Sequence, residues 1–126
     1  MLPPSVRIFL CVAPVDMRRS FDTLSGLVEE YLGEDPLSGH LFVFRNREET
    51  KIKIVYWDGD GYAIWYKRLE RGTFALPKAA TAGVEIETTV FSMILGGMDS
   101  KSMSKKKRFK REKKRGLVGA GVSDHI

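Results

Sequence analysis

His40-Leu41-Phe42-Val43-Phe44-Arg45-Asn46, Lys51-Ile52-Lys53-Ile54-Val55-Tyr56-Trp57 and Tyr62-Ala63-Ile64-Trp65-Tyr66-Lys67-Arg68 are three strand-like runs in a row. Each is rich in β-branched and aromatic residues, and short polar loops separate them, which predicts an antiparallel meander. Between the last two lies Asp58-Gly59-Asp60-Gly61. Whether that loop counts two or four residues, Trp57 falls opposite Tyr62, so the register is the same. Counting outward puts Val55 against Ile64, Lys53 against Tyr66 and Lys51 against Arg68 on one face. The other face holds Ile52, Ile54, Tyr56, Ala63, Trp65 and Lys67, the expected core set. The first face mixes Trp57, Tyr62 and Tyr66 with Lys51, Lys53 and Arg68. Opposed cations cost stability unless an anion lies near. The simpler account is that Glu48, Glu49 or helix acids neutralise them while the rings cover a second sheet face. The alternative is that the rings stack on bases or a protein partner and the cations pair with phosphates.

Before the meander, Arg7 to Val12 reads as a buried strand, closed by Ala13-Pro14. From Ser20, a candidate N-cap, the apolar residues Phe21, Leu24, Leu27, Val28, Tyr31 and Leu32 recur at helical spacing, and Gly33 with Pro36 supplies the stop. After the meander, Val84 to Ile86 is a short strand-like element. A second short helix is expected from Thr88, with Val90, Phe91, Ile94 and Leu95 apolar and Gly96-Gly97 ending it. The fold class is therefore α+β: an antiparallel meander packed with one main helix, a second short helix closing the body, and a basic tail beyond.

The 126 residues carry a formal charge of +5, distributed very unevenly. Residues 101–115 hold ten of the 21 basic side chains and one, Glu112, of the 16 acidic ones, a net of +9. The other 111 residues keep 11 basic against 15 acidic, a net of −4. Like charges at this density resist collapse, so residues 1–100 are expected to form one compact domain and 101–126 a disordered basic tail. Lys105, Lys106, Lys107, Arg108, Lys110 and Arg111 are candidate phosphate ligands. If the tail engages about six phosphates, log K falls with log salt with a slope near −5, and little sequence information is read. A solvated tail is the plain alternative. The tail has Phe109 as its one aromatic and lacks the apolar face that membrane anchoring requires.

Enzymatic signals are few. Asp58-x-Asp60-Gly61 echoes the start of a calcium loop, but Tyr62 stands at its fifth position and Leu69 at its twelfth. Two histidines, His40 and His125, are too few for a histidine metal site or for a nucleophile-base pair. Carboxylates such as Asp16, Asp22, Asp58 and Asp60 are more simply caps and turn formers. Neither an enzyme nor a cofactor or metal is expected. Cys11, the single cysteine, reads as a buried small hydrophobe. The apolar stretches fall far short of the roughly 20 residues of a membrane span, and the start lacks a secretory signal, which places the chain in the bacterial cytoplasm. Arg18 and Arg19 stand just before the first helix, where their side chains and the free amides could hold an anion.

Val15 to Val28 (VDMRRSFDTLSGLV), His40 to Phe74 and, more faintly, Val84 to Asp99 resemble the TnpB accessory proteins, the second reading frame of the IS-66 family of bacterial insertion sequences. The similarity covers most of residues 6 to 100 and is most specific in Asp-Met-Arg-x-Ser-Phe-Asp and in the Tyr-Trp-Asp-x-Asp-Gly hairpin. It implies a protein encoded beside a transposase and assisting transposition, with that transposase as partner and no catalytic activity of its own. The RNA-guided nucleases that share the TnpB name are several times longer and are a different family. Contact with DNA, or a protein adaptor role on the transposase without DNA, are the two functions this leaves open.

Overall fold

The computed structural model describes residues 5–79 and 81–96, together with the backbone of two short strands at 98–99 and 104–105. Apart from the backbone of 104–105, the tail expected to be disordered, 101–126, lies outside the described residues. Five strands form one sheet: β1 (Ile8–Cys11), β2 (Leu41–Arg45), β3 (Lys51–Trp57), β4 (Tyr62–Arg68) and β5 (Gly83–Ile86). Their spatial order is β4-β3-β2-β1-β5. The helices are α1 (Phe21–Leu27), which continues as a π turn over Val28–Leu32, and α2 (Thr88–Gly96). A separate two-stranded ladder pairs β6 (Met98–Asp99) with β7 (Ser104–Lys105).

The fold is α+β, and β2, β3 and β4 form the expected meander. All seven pairs from Trp57↔Tyr62 to Lys51↔Arg68 occur in the expected register. The strands end at Trp57 and Tyr62, leaving four residues between them, and within that loop the Asp58 N–H donates to the Gly61 carbonyl at 2.8 Å while Gly59 takes φ 92°, a region open to glycine. The sheet as a whole is mixed rather than purely antiparallel. β1 lies parallel to β2, with Ile8 beside Leu41, and antiparallel to β5. A parallel neighbour cannot be reached by a tight turn, so the chain crosses over through α1.

That crossover determines the layers. Phe9, Cys11, Phe42, Phe44 and Val55 face α1 and its π turn, where Leu24 and Val28 are fully buried. Ile8, Leu10, Val43, Ile52 and Ile54 face the opposite way, against Phe91 and Ile94 of α2 and against Phe74 and Leu76. β1 and β2 are buried on both faces, hence their unbroken apolar sequences. The sequence reading assigned the core to a single face of the hairpin, whereas both faces are packed.

Three differences from the expected core have local causes. Trp65 belongs to the core set but stays 38% exposed, because β4 is an edge strand with a neighbour on one side only. Lys67, in the same set, sends its ammonium to the Leu95 carbonyl at 2.8 Å. There it meets the last turn of α2, whose carbonyls lack helical partners and favour a cation. Tyr31 is exposed because the wider π turn carries it outward and Leu32 inward. Leu32 packs where a Cβ on Gly83 would otherwise sit, so a side chain at that strand position would have to displace the tip of Leu32. Ser20 occupies the N-cap position in extended conformation, yet its hydroxyl makes no capping bond. Gly33 ends the helix at φ 67°, as expected for a left-handed stop.

Phe42 stacks on Phe9 with ring centroids 5.6 Å apart and is fully buried. Phe42→Ala should lower the unfolding free energy by about 3–5 kcal/mol in urea titrations. Trp65→Ala, at the exposed edge, should cost less than half as much.

Candidate nucleic-acid interface

Because β1 and β2 run parallel, the loops that follow them leave the sheet at the same end. Between these loops, Pro14–Arg18 after β1 and Asn46–Lys51 after β2, with Tyr66 of β4, lies a cleft of about 500 Å3. Such a volume lies within the range of small-ligand sites. On that sheet face Val55, Tyr62 and Ile64 pack with the helical residues Leu24 and Val28, whereas Lys51 and Tyr66 line the opening.

Both walls are held by polar side chains. Arg45 donates from Nε to the Val12 carbonyl at 2.9 Å and pairs with Glu49 at 3.5 Å, fastening the end of β1 to the turn after β2. Asn46 organises that turn: its side-chain oxygen accepts the N–H groups of Thr50 and Lys51, both at 2.9 Å, and its amide donates to Glu48 and Thr50. Glu49 consequently takes φ 61°, unusual for a residue with a side chain. On the other wall the Val15 N–H donates to the Arg45 carbonyl at 2.8 Å. Lys53 reaches up from β3 and donates to the Arg19 carbonyl at 2.8 Å. It is 8% exposed and lies 4.9 Å from the centre of the Tyr66 ring. Burial pushes its pKa down, and nearby Asp16 partly opposes that.

At the mouth, Asp16 and Arg18 form a closed pair. Arg18 donates from Nε to both carboxylate oxygens at 3.1 Å and from Nη2 at 2.6 Å, and its backbone N–H donates to Oδ1 at 2.9 Å. These bonds to Arg18 hold the Asp16 carboxyl well below the usual carboxylate range.

The structure thus separates the residues singled out from sequence. Arg18, Lys51 and Tyr66 share the cleft. Arg19 is exposed beside it, and its carbonyl is taken by Lys53. Lys53 is turned inward and occupied, so it braces the loop instead of presenting a charge. Arg68, opposite Lys51 in the ladder, pairs with Glu70 at 3.0 Å, an anion the sequence reading did not name. Trp57 and Tyr62 meet edge to face at 5.2 Å at the hairpin end, away from the cleft. The tail residues Lys105, Lys106, Lys107, Arg108, Lys110 and Arg111 are outside the described side chains. Sequence reasoning missed Arg47, which lines the cleft, and Arg45 and Asn46, which build it. The one available signal was the polar run from Arg45 to Thr50 breaking two apolar strands. Cys11 is buried, and burial raises its thiol pKa. Among the described residues no three metal-ligating side chains come together, and no helix is long and apolar enough to cross a membrane.

The molecule is thus a small mixed sheet with helices packed on both faces and a polar cleft at the end of its parallel pair. The chain belongs to the IS66 Orf2-like family, whose model matches residues 6–105. Two relatives come from Sinorhizobium fredii (strain NBRC 101917 / NGR234). The uncharacterized protein y4hO is 39% identical over 101 residues, spanning 79% of this chain and 88% of the relative. The uncharacterized protein y4jC is 36% identical over 101 residues, spanning 79% and 86%. No solved structure gives a significant match.

Asp16 has a pH signature. With its folded pKa depressed, it contributes stability that is complete above its unfolded value of about 4 and is lost as pH falls further toward the lower folded value. Asp16→Asn removes the titrating charge but keeps an oxygen for the Arg18 N–H. The difference in melting temperature between wild type and this variant should therefore shrink between pH about 4 and about 2.

Proposed function

We propose that the protein assists transposition by contacting DNA phosphates, without catalysing a covalent step, in a complex with the transposase of its own element. The observation that carries this reading is the convergence of Arg18, Arg47 and Lys51 on one cleft in a chain that also bears a +9 segment. Phosphate oxygens are the natural partners of such cations, and the contacts would position DNA more than read its sequence. Arg47 and Lys51 have no ion-pair partner among the described residues, so their charge is available.

A second reading, an adaptor that docks on the transposase without touching DNA, is supported by the exposed aromatic residues Phe21, Tyr31 and Trp65. Aromatic anchors of this kind often dominate protein interfaces. Helices pack on both sheet faces, so such docking would use these exposed positions.

Titrating the full chain with duplex DNA over a salt series separates the two. The DNA reading expects binding with a log-log salt slope near about −5, reduced by several units when Lys105, Lys106, Lys107, Arg108, Lys110 and Arg111 are changed to Gln. Weak, salt-insensitive binding by both proteins would eliminate it and leave the adaptor.

A further inference from the structure

The Asp16–Arg18 pair has the geometry that arginine gives to phosphate: two guanidinium nitrogens on two oxygens of one anion. Resting on the DNA reading above, we infer that Asp16 is a built-in phosphate mimic, holding Arg18 in reserve at a phosphodiester-binding cleft until a nucleic-acid phosphate displaces the carboxylate.

Three observations support this assignment. Arg18 is accessible where it must be: its side chain is 91% exposed, and exposed ion pairs are weak and easily exchanged. The backbone beneath it is fixed independently, through Val15 to Arg45, Arg19 N–H to the Asp16 carbonyl at 3.1 Å, and Lys53 to the Arg19 carbonyl. The guanidinium can therefore swing from Asp16 to an incoming anion without unfolding the loop. Across the cleft, Arg47 and Lys51 supply two further cations, while Glu48 is tied back to its own turn by Asn46. With Asp16 charged, the lining residues carry three positive and two negative groups. Neutralising Asp16 raises the local balance by one, and displacing its carboxylate frees the Arg18 guanidinium, so Asp16 sets the threshold for anion entry.

The test uses the full chain, a short duplex of mixed sequence and a sodium chloride series. Asp16→Asn should bind DNA severalfold more tightly than wild type, with a salt slope steeper by about one. Glu30→Gln removes the same unit charge from an exposed position on the helical layer and should change neither quantity appreciably. Arg18→Gln should weaken binding far more in the Asp16→Asn background than in the wild type, because only there is the guanidinium free from the start. Equal behaviour of Asp16→Asn and Glu30→Gln, or a gain that survives Arg18→Gln, overturns the inference while leaving DNA binding in place. The Arg18→Gln comparison in the wild type stands even if Asp16→Asn folds poorly: a loss there as large as that from Lys51→Gln would show Arg18 engaged from the outset, and overturn the reserve role. Absence of binding by every variant at low salt overturns both readings together.

Discussion

The parallel pairing of β1 with β2 is the constraint on which the architecture turns. Strands aligned in the same direction cannot be joined by a hairpin, so α1 must carry the chain across one face. That face then becomes a helix-packed layer, with Leu24 and Val28 over Phe9, Phe42 and Val55. The reverse face is left to α2 and to Phe74 and Leu76. Two central strands covered on both sides concentrate the buried apolar surface in a short chain, the dominant favourable contribution to folding at this size.

The same pairing creates the cleft. Loops leaving the carboxyl ends of adjacent parallel strands emerge side by side, an arrangement that commonly leaves a crevice where ligands bind. Here the crevice is polar because Arg45, Asn46 and Lys53 are used as braces. Each is partly or wholly buried, and each finds a partner: the Val12 carbonyl, the turn amides, the Arg19 carbonyl. No buried side-chain nitrogen or oxygen is left without a hydrogen bond among the described residues. Satisfied polar groups of this kind fix geometry at little net cost, whereas an unpaired one would destabilise the loop it holds.

Lys53 illustrates the limit of reading charge from sequence. Alternation along β3 placed it correctly on the face with Lys51, but could not say that the loop after β1 would close over it. Burial follows from the crossover, which brings the Arg19 carbonyl within 2.8 Å of its ammonium. Lys51, two residues earlier on the same face, lies past the end of the helical cover and keeps its charge in the cleft. A similar contrast separates Ile54 from Trp65, its partner in the ladder: the first is central and buried, the second at an edge and exposed.

Local chemistry was sufficient for the hairpin register, the left-handed glycine that ends the first helical layer, the two helices and the unbroken apolar strands. Those features depend on residues near each other in the chain, where side-chain alternation and turn preferences act directly. The strand order, the parallel neighbour, the packing of both sheet faces and the cleft itself were decided only by tertiary structure. They depend on which distant segments meet, and the apolar surfaces of β1 and β5 are compatible with either edge of a meander until the crossover through α1 selects one.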